Sequence, residues 1–352
     1  MNQDLASMDN SLITVTDSGL YCKAGDFYID PWRPVERAVI THSHSDHARV
    51  GMGSYLTVFQ GAQLLRARIG ADSPITAVNY GEPVHLREAS ISFHPAGHIL
   101  GSAQVRIESG GLVWVVSGDY KVAADATCEQ FEPIRCHGFV TESTFALPIY
   151  RWKPPEDIFA DINDWWQSNR AEGKVSILYS YALGKAQRIL SGIDANVGPI
   201  YTHGAVERVT QIYRDSGVAL PPTRSALTAA KKDLAGSLVL APPSAQGTAW
   251  TRRFGDFSAA LASGWMQIRG ARRRRAIDRG FVLSDHADWP GLLSVIAATK
   301  AETIWATHGQ SQPLVRTLIE KGLDARAIQT EFEGELDAEG TSEANADDAA
   351  TV

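Results

Sequence analysis

Cysteine is scarce in this 352-residue sequence, which has three, at Cys22, Cys128 and Cys136. None forms a CxxC pair, so neither a disulfide framework nor a cysteine-based zinc site is expected. Three reduced thiols are expected instead, at least two of them buried. Long apolar runs are also missing: no stretch approaches the roughly 20 residues that a membrane span needs. Residues 1–10 lack the basic start and apolar stretch of a signal peptide, so a cytoplasmic protein with no membrane partner is expected. Net positive charge is absent too, the formal charge being −7. That figure does not exclude a polyanionic partner, because it is local. Residues 333–352 hold seven acids and no Lys or Arg, and the remaining 33 acids balance the 33 bases. The acidic segment has almost nothing to bury and is expected to be a disordered tail.

What is present fits a large globular enzyme, with 44% hydrophobic and 21% charged residues. The first third reads as short strands at 12–15, 27–29, 38–41 and 91–93. A hairpin follows, with strands at 104–108 and 112–117 around Ser109-Gly110-Gly111, and then a strand at 138–141. After Pro154-Pro155 the pattern changes. Residues 156–170 have apolar positions at helical spacing with acids in the first turn. Strands (175–179, near Ile200, 238–241) then alternate with helices from Gly184 and Val206, which suggests a small parallel α/β unit. From Gly280 the chain returns with strands at 281–283 and 303–306 and helices from Trp289 and Gln310.

The strongest chemical signal is HxHxDH at 42–47, directly after the apolar strand ending at Ile40. Alternate residues of an extended segment point the same way, so His42 and His44 can converge on one ion, while Asp46 and His47 sit where the chain turns. A loop of merely hydrogen-bonded histidines is the plainer reading, but four ligand-type residues in six positions argue against it. His98 lies among small residues in PAGHILGS, and Asp119 ends an apolar strand in VVSGDY. His308 follows another such strand in THG.

The series Asp30, HxHxDH, His98, Asp119, His308 resembles the ligand set of the metallo-β-lactamase superfamily. That resemblance implies an αββα sandwich with two divalent ions. His42, His44 and His98 would hold one ion, Asp46, His47 and His308 the other, and Asp119 would bridge them. Asp30 would brace the HxHxDH loop by hydrogen bonds. Mixed imidazole and carboxylate ligands suit Zn²⁺ and also admit Mn²⁺ or Fe. Two such ions, roughly 3.5–4 Å apart, support hydrolysis. Many relatives cleave lactams, lactones or thioesters, so the fold alone does not choose the substrate.

Glu142 (in TESTF) and His286 (in LSDHAD), followed by His308, resemble motifs A, B and C of the β-CASP nucleases. In that group a helical and parallel-strand insert separates motifs A and B. Here the insert is expected at 151–279, between parts 1–150 and 280–332 of the metallo-β-lactamase domain, with the tail at 333–352. The resemblance gives Glu142 the role of orienting His286, which would protonate the leaving oxygen or contact the phosphate. A histidine beside a carboxylate suits proton donation to an alkoxide. The compact insert and the stretches 142–152 and 278–289 are similar to the bacterial DNA-ligase-associated exonucleases. This implies stepwise removal of DNA nucleotides from a 5′ end, preferring a 5′ phosphate and a single strand or free end, with DNA ligase and other repair proteins as partners. An RNA-processing β-CASP ribonuclease would share the same residues, and a lactonase-type hydrolase would need neither insert nor motif B. Ser180 and Lys185, at a strand-to-helix turn, are candidate phosphate contacts. So is the basic run Arg272, Arg273, Arg274 and Arg275. Trp152, Trp165, Trp166 and Tyr181 are candidates for stacking, although most tryptophans are expected in the core.

Overall fold

The computed structural model describes residues 11–268 and 277–331. They form a mixed α/β protein with three sheets. The first sheet runs in chain order through β1 (Thr14–Thr16), β2 (Gly19–Cys22), β3 (Phe27–Ile29), β4 (Arg37–Val39), β5 (Ser54–Val58) and β6 (Ile75–Val78). Its first three strands are antiparallel and the rest parallel. The second sheet contains β7 (Val84–Leu86), β8 (Ala89–Pro95), β9 (Ala103–Ser109), β10 (Leu112–Val116), β11 (Gly138–Glu142), β18 (Thr303–Thr307) and β19 (Asp324–Ala327), ordered β19-β18-β11-β10-β9-β8-β7. The late strand β18 pairs in parallel with β11, in register Glu142 to Thr307, so two chain segments 165 residues apart end side by side.

These two sheets share one core. Leu20, Phe27, Ile29 and Val39 from the first meet Ile91, Phe93, Val105, Trp114 and Trp305 from the second. The outer face of the second sheet is covered by helices at Trp289–Thr299 and Ser311–Glu320, through Leu292, Val295, Leu314 and Leu318. The outer face of the first is covered by α1 (Ala62–Ile69), through Leu65 and Ile69. Alternating inward apolar residues put each sheet's buried face where period-two patterning requires.

The third sheet is parallel throughout: β12 (Val175–Tyr179), β13 (Ile200–Thr202), β14 (Arg224–Ser225), β15 (Leu238–Ala241), β16 (Phe257–Ala262) and β17 (Arg279–Phe281), ordered β14-β13-β15-β12-β16-β17. Buried on both sides, its inner strands β12 and β15 are near-continuous apolar runs, as two-sided parallel sheets demand, whereas the edge strand β14 is exposed. One face packs on α2 (Pro155–Ala171), α3 (Lys185–Gly192) and α4 (Gly204–Asp215), through Ile162, Trp166, Ile189 and Val206. Trp165 and Trp166 belong to this core. The expected strand at 281–283 ends sooner, at Phe281, and the following residues form the loop that carries Asp285 and His286. Cys22 and Cys136 are buried, Cys128 is partly so, and all three are free thiols. Among the described residues no helix is long and apolar enough to cross a membrane. The acidic segment 333–352 and the run Arg272 to Arg275 lie outside the described residues.

Candidate metal centre

The HxHxDH loop leaves β4 through Ile40 and is fixed by Asp30, which sits just past β3 with φ of 44°. Such a conformation in a non-glycine residue needs support from its surroundings. Asp30 has it: Oδ1 accepts from the Thr41 amide at 2.8 Å, and Oδ2 accepts from Thr41 Oγ1 at 2.5 Å and faces His47 Nδ1 at 2.7 Å. At the end of β10, Gly118 lets the Asp119 turn approach this loop. Its φ is 56°, and a Cβ there would lie 2.7 Å from Thr41 Oγ1.

The structure brings all seven expected ligands together in two clusters. Ligand atoms of His42, His44, His98 and Asp119 lie within 4.8 Å of one another, and so do those of Asp46, His47 and His308. Hydrogen-bond logic settles the protons in the first cluster. Thr41 Oγ1 donates to Asp30, so it accepts from His42 Nδ1 at 3.1 Å. His98 Nδ1 faces the Asp285 carbonyl at 2.7 Å, and His44 Nε2 faces the Leu183 carbonyl at 3.3 Å. A carbonyl only accepts, so each of those nitrogens carries the proton. The opposite nitrogens, His42 Nε2, His44 Nδ1 and His98 Nε2, therefore offer lone pairs. They stand only 3.1 and 3.0 Å apart. Three lone pairs cannot bond one another, but they fit a tetrahedral cation, whose ligands at about 2.0–2.1 Å lie about 3.4 Å apart.

The second cluster has the same logic. With Nδ1 given to Asp30, His47 turns Nε2 toward Asp119 Oδ2 at 3.5 Å, Asp46 Oδ2 at 3.6 Å and His308 Nε2 at 3.3 Å. Asp119 reaches both clusters, 3.5 Å from His42 Nε2 and 3.8 Å from His308 Nε2. Its Oδ1 is buried with no hydrogen-bond partner. A buried carboxylate oxygen without a hydrogen-bond partner, set among imidazole nitrogens, offers its lone pairs to a cation, so the donor set fits divalent ions.

The titration behaviour agrees. Burial pushes His42 and His98 well below the usual histidine range and lowers His44 and His308 as well, which favours the neutral, ligating form. His47 is the exception. Burial opposes its charge, yet Asp46, Asp119 and Asp30 hold it well above the usual value. That negative field is the one a divalent cation would occupy.

Beside the clusters, Glu142 at the end of β11 faces His286 Nδ1 with both oxygens, at 3.0 and 2.8 Å. Glu142 Oε1 also accepts from the Tyr120 amide at 2.8 Å. Ligating atoms of Asp119, Glu142 and His286 lie within 4.8 Å of one another. Trp152 Nε1 donates to the His286 carbonyl at 3.0 Å, so this tryptophan braces the pair.

Two expected contacts are corrected. Ser180 and Lys185 are fully buried, not open to a nucleic-acid backbone. Lys185 Nζ lies over the Tyr181 ring, 4.8 Å from its centroid, and 3.8 Å from Asp285 Oδ2, because a buried carboxylate draws the ammonium inward. The sequence reading also missed Ser143, whose buried hydroxyl lies 2.8 Å from the Thr307 carbonyl, 2.5 Å from that of His308 and 2.7 Å from Ser311 Oγ. His308 needs such support, since its φ is 62°. Two histidines outside the motifs have local structural contacts: His203 caps α4 by accepting from the Ala205 amide, and His137 accepts from the Val113 amide.

No family model matches the chain. It is similar to a probable DNA ligase of Opitutus terrae, 31% identical over 322 residues, which are 90% of this chain and 31% of that one. It is also similar to endoribonuclease YSH1 of Yarrowia lipolytica, 26% identical over 166 residues, 45% of this chain and 20% of the other. An RNase J-like protein of Methanocaldococcus jannaschii is 28% identical over 158 residues, 40% of this chain and 35% of the other. The chain spans about a third or less of these curated relatives. Among solved structures, a protein of unknown function from Enterococcus faecalis has a TM-score of 0.58 at 12% identity, over 84% of this chain and 80% of that one, a likeness of fold alone. These similarities are consistent with a metallo-β-lactamase/β-CASP nuclease.

Proposed function

We propose that the chain is a two-metal phosphodiesterase that removes nucleotides from DNA, working from a 5′ end with a preference for a 5′ phosphate. The observation that carries the hydrolytic reading is the pair of ligand clusters joined by Asp119, with the Glu142–His286 pair against them. Two facing sheets flanked by helices support the metallo-β-lactamase αββα sandwich. The parallel third sheet supports residues 151–279 as a β-CASP insert between parts 1–150 and 280–332.

In this reading His42, His44 and His98 would hold one divalent ion and Asp46, His47 and His308 the second, with Asp119 available to both. Zn²⁺ suits the imidazole-rich set, and Mn²⁺ or Fe is also accommodated. When bound, the ions supply an acidified water and positive charge for the phosphoryl oxygens. The chain does the rest. Water adds to phosphorus, the P–O ester bond breaks, and the attacking water gives its proton to a carboxylate of the site. Glu142 fixes His286 through Nδ1, which turns Nε2 away from the carboxylate to protonate the leaving oxygen.

The DNA assignment rests on the similarity to a probable DNA ligase over 90% of this chain, which also supports a repair setting with ligase as a partner. The endoribonuclease and RNase J-like relatives favour a second reading, RNA cleavage by the same residues.

End-labelled single-stranded DNA and RNA, each with a 5′ phosphate or 5′ hydroxyl, separate these readings in the presence of Mn²⁺ or Zn²⁺. Mononucleotides from 5′-phosphorylated DNA are expected, with little from RNA. Preferred RNA cleavage would move the protein to RNA processing. In the same assay Asp119→Ala should lose hydrolysis while its circular dichroism spectrum stays native. Full activity in that variant would remove Asp119 from the bridging role.

A further inference from the structure

The two ligand clusters are oriented by different parts of the chain. In the second, His47 is set by Asp30 and the His308 backbone by Ser143, both from the first two sheets. The first depends on the third sheet. His44 Nε2 faces the carbonyl of Leu183, in the turn between β12 and α3, and His98 Nδ1 faces the carbonyl of Asp285, in the loop after β17. These two carbonyls fix which ring nitrogen keeps its lone pair for the cation, the established way in which a neighbouring group tunes a ligating histidine.

The Asp285 carbonyl is itself held by a buried cluster of charges. Arg188, on α3, places Nη1 at 3.1 Å from Asp285 Oδ1 and 2.5 Å from the Ser284 carbonyl. Its Nε is 3.4 Å from Asp125 Oδ2, which accepts from Lys121 Nζ at 2.6 Å. Lys121 Nζ also donates to the His98 carbonyl at 3.2 Å. These side chains, with Lys185, are at most 5% exposed. Arg188 grips both the carboxylate and the preceding carbonyl of the loop through Nη1, while its Nε faces Asp125, so one guanidinium ties the loop to the buried charge cluster. The surfaces around it are closely docked. A Cβ at Gly184 would overlap Ile99 Cγ2, and Tyr213 of α4 accepts the Leu100 amide at 3.2 Å.

We propose that Arg188 is a positioning residue for the first cation, so that cation binding at His42, His44 and His98 and docking of the third-sheet unit are energetically coupled. The inference rests on the two-cation reading above. Linkage makes the coupling reciprocal: the ion tightens the docking, and the docking tightens the ion.

The test is a titration of the full, metal-stripped protein with Zn²⁺ by calorimetry and with Co²⁺ by visible absorption. His98→Ala and His308→Ala assign the two steps. Arg188→Met is expected to weaken the step lost in His98→Ala on the order of 10–100-fold, and to leave the other unchanged. Arg188→Lys should recover part of the loss. A merely structural arginine would lower stability without moving either affinity, and unchanged affinities in Arg188→Met would overturn the proposal while leaving the two-cation reading intact. If Arg188→Met does not fold, hydrogen exchange of the wild type decides. Zn²⁺ should slow exchange at residues 181–191 and 284–286 as well as 41–47, and protection confined to 41–47 would overturn the proposal. A wild type that takes up no cation would overturn both the proposal and the reading it rests on.

Discussion

A single hydroxyl illustrates how little holds a ligand in place. Ser143 has one proton to donate, yet three oxygens surround it, the carbonyls of Thr307 and His308 and the hydroxyl of Ser311. Ser311 can donate in turn, and its Oγ lies 2.9 Å from the His308 carbonyl. The pair thus pins a histidine whose backbone is in the left-handed region. Ser143→Ala would leave buried oxygens short of a donor, at a cost of about 1–3 kcal/mol. Urea denaturation should show that loss. In a metal titration the same variant should weaken only the step lost in His308→Ala. If stability falls but both affinities hold, Ser143 supports the fold and not the ligand.

At the scale of elements, close approach between a strand end and a loop shapes the centre. Gly110 and Gly118 flank β10 with nearly the same φ, 58° and 56°. A Cβ at Gly110 meets nothing within 4 Å, whereas at Gly118 it meets Thr41 Oγ1 at 2.7 Å. Both alanine variants bear the backbone strain, so their difference isolates the contact. Gly118→Ala should lower stability more than Gly110→Ala, by over about 1 kcal/mol in equilibrium denaturation, because Thr41 is held by Asp30 and cannot yield cheaply. Equal losses would mean the loop gives way.

The glycine contrast also marks what sequence could and could not reveal. The candidate site was legible because alternate positions after a strand, as in His42 and His44, are a local pattern, and the Gly-Asp end of β10 is another. The alternating β12 to β15 unit was legible for the same reason. The stretch holding β5, α1 and β6 was not read, since α1 spans only eight residues and gives little periodic signal. Lys185 was misplaced because a lysine opening a helix after a strand has the local look of a phosphate contact. Its burial is decided by Asp285, a hundred residues on. The cluster of Lys121, Asp125, Arg188 and Asp285 had no sequence signature at all, because each contact joins distant segments.

For the whole molecule, the centre sits where all three sheets meet, so it sets stability as well as chemistry. The candidate ligands come from the loops after β4, β8, β10 and β18, and the carbonyls that face His44 and His98 come from the third-sheet unit. His42 Nε2, His44 Nδ1 and His98 Nε2 lie 3.0–3.1 Å apart beside a carboxylate oxygen with no hydrogen-bond partner, a donor set suited to a cation. The unfolded chain has no such site, so binding adds directly to folding free energy. One cation at a hundredfold excess over its Kd contributes about 2.7 kcal/mol, and two contribute roughly twice that. Removing metal with a chelator should therefore lower the melting temperature by several degrees, and restoring Zn²⁺ should reverse the change. His98→Ala should retain part of the shift through the second cluster, and Asp119→Ala, which strips a ligand from both, should retain least. A melting temperature indifferent to chelation in the wild type would show that these lone pairs are satisfied without a cation, and the metal centre would have to be abandoned.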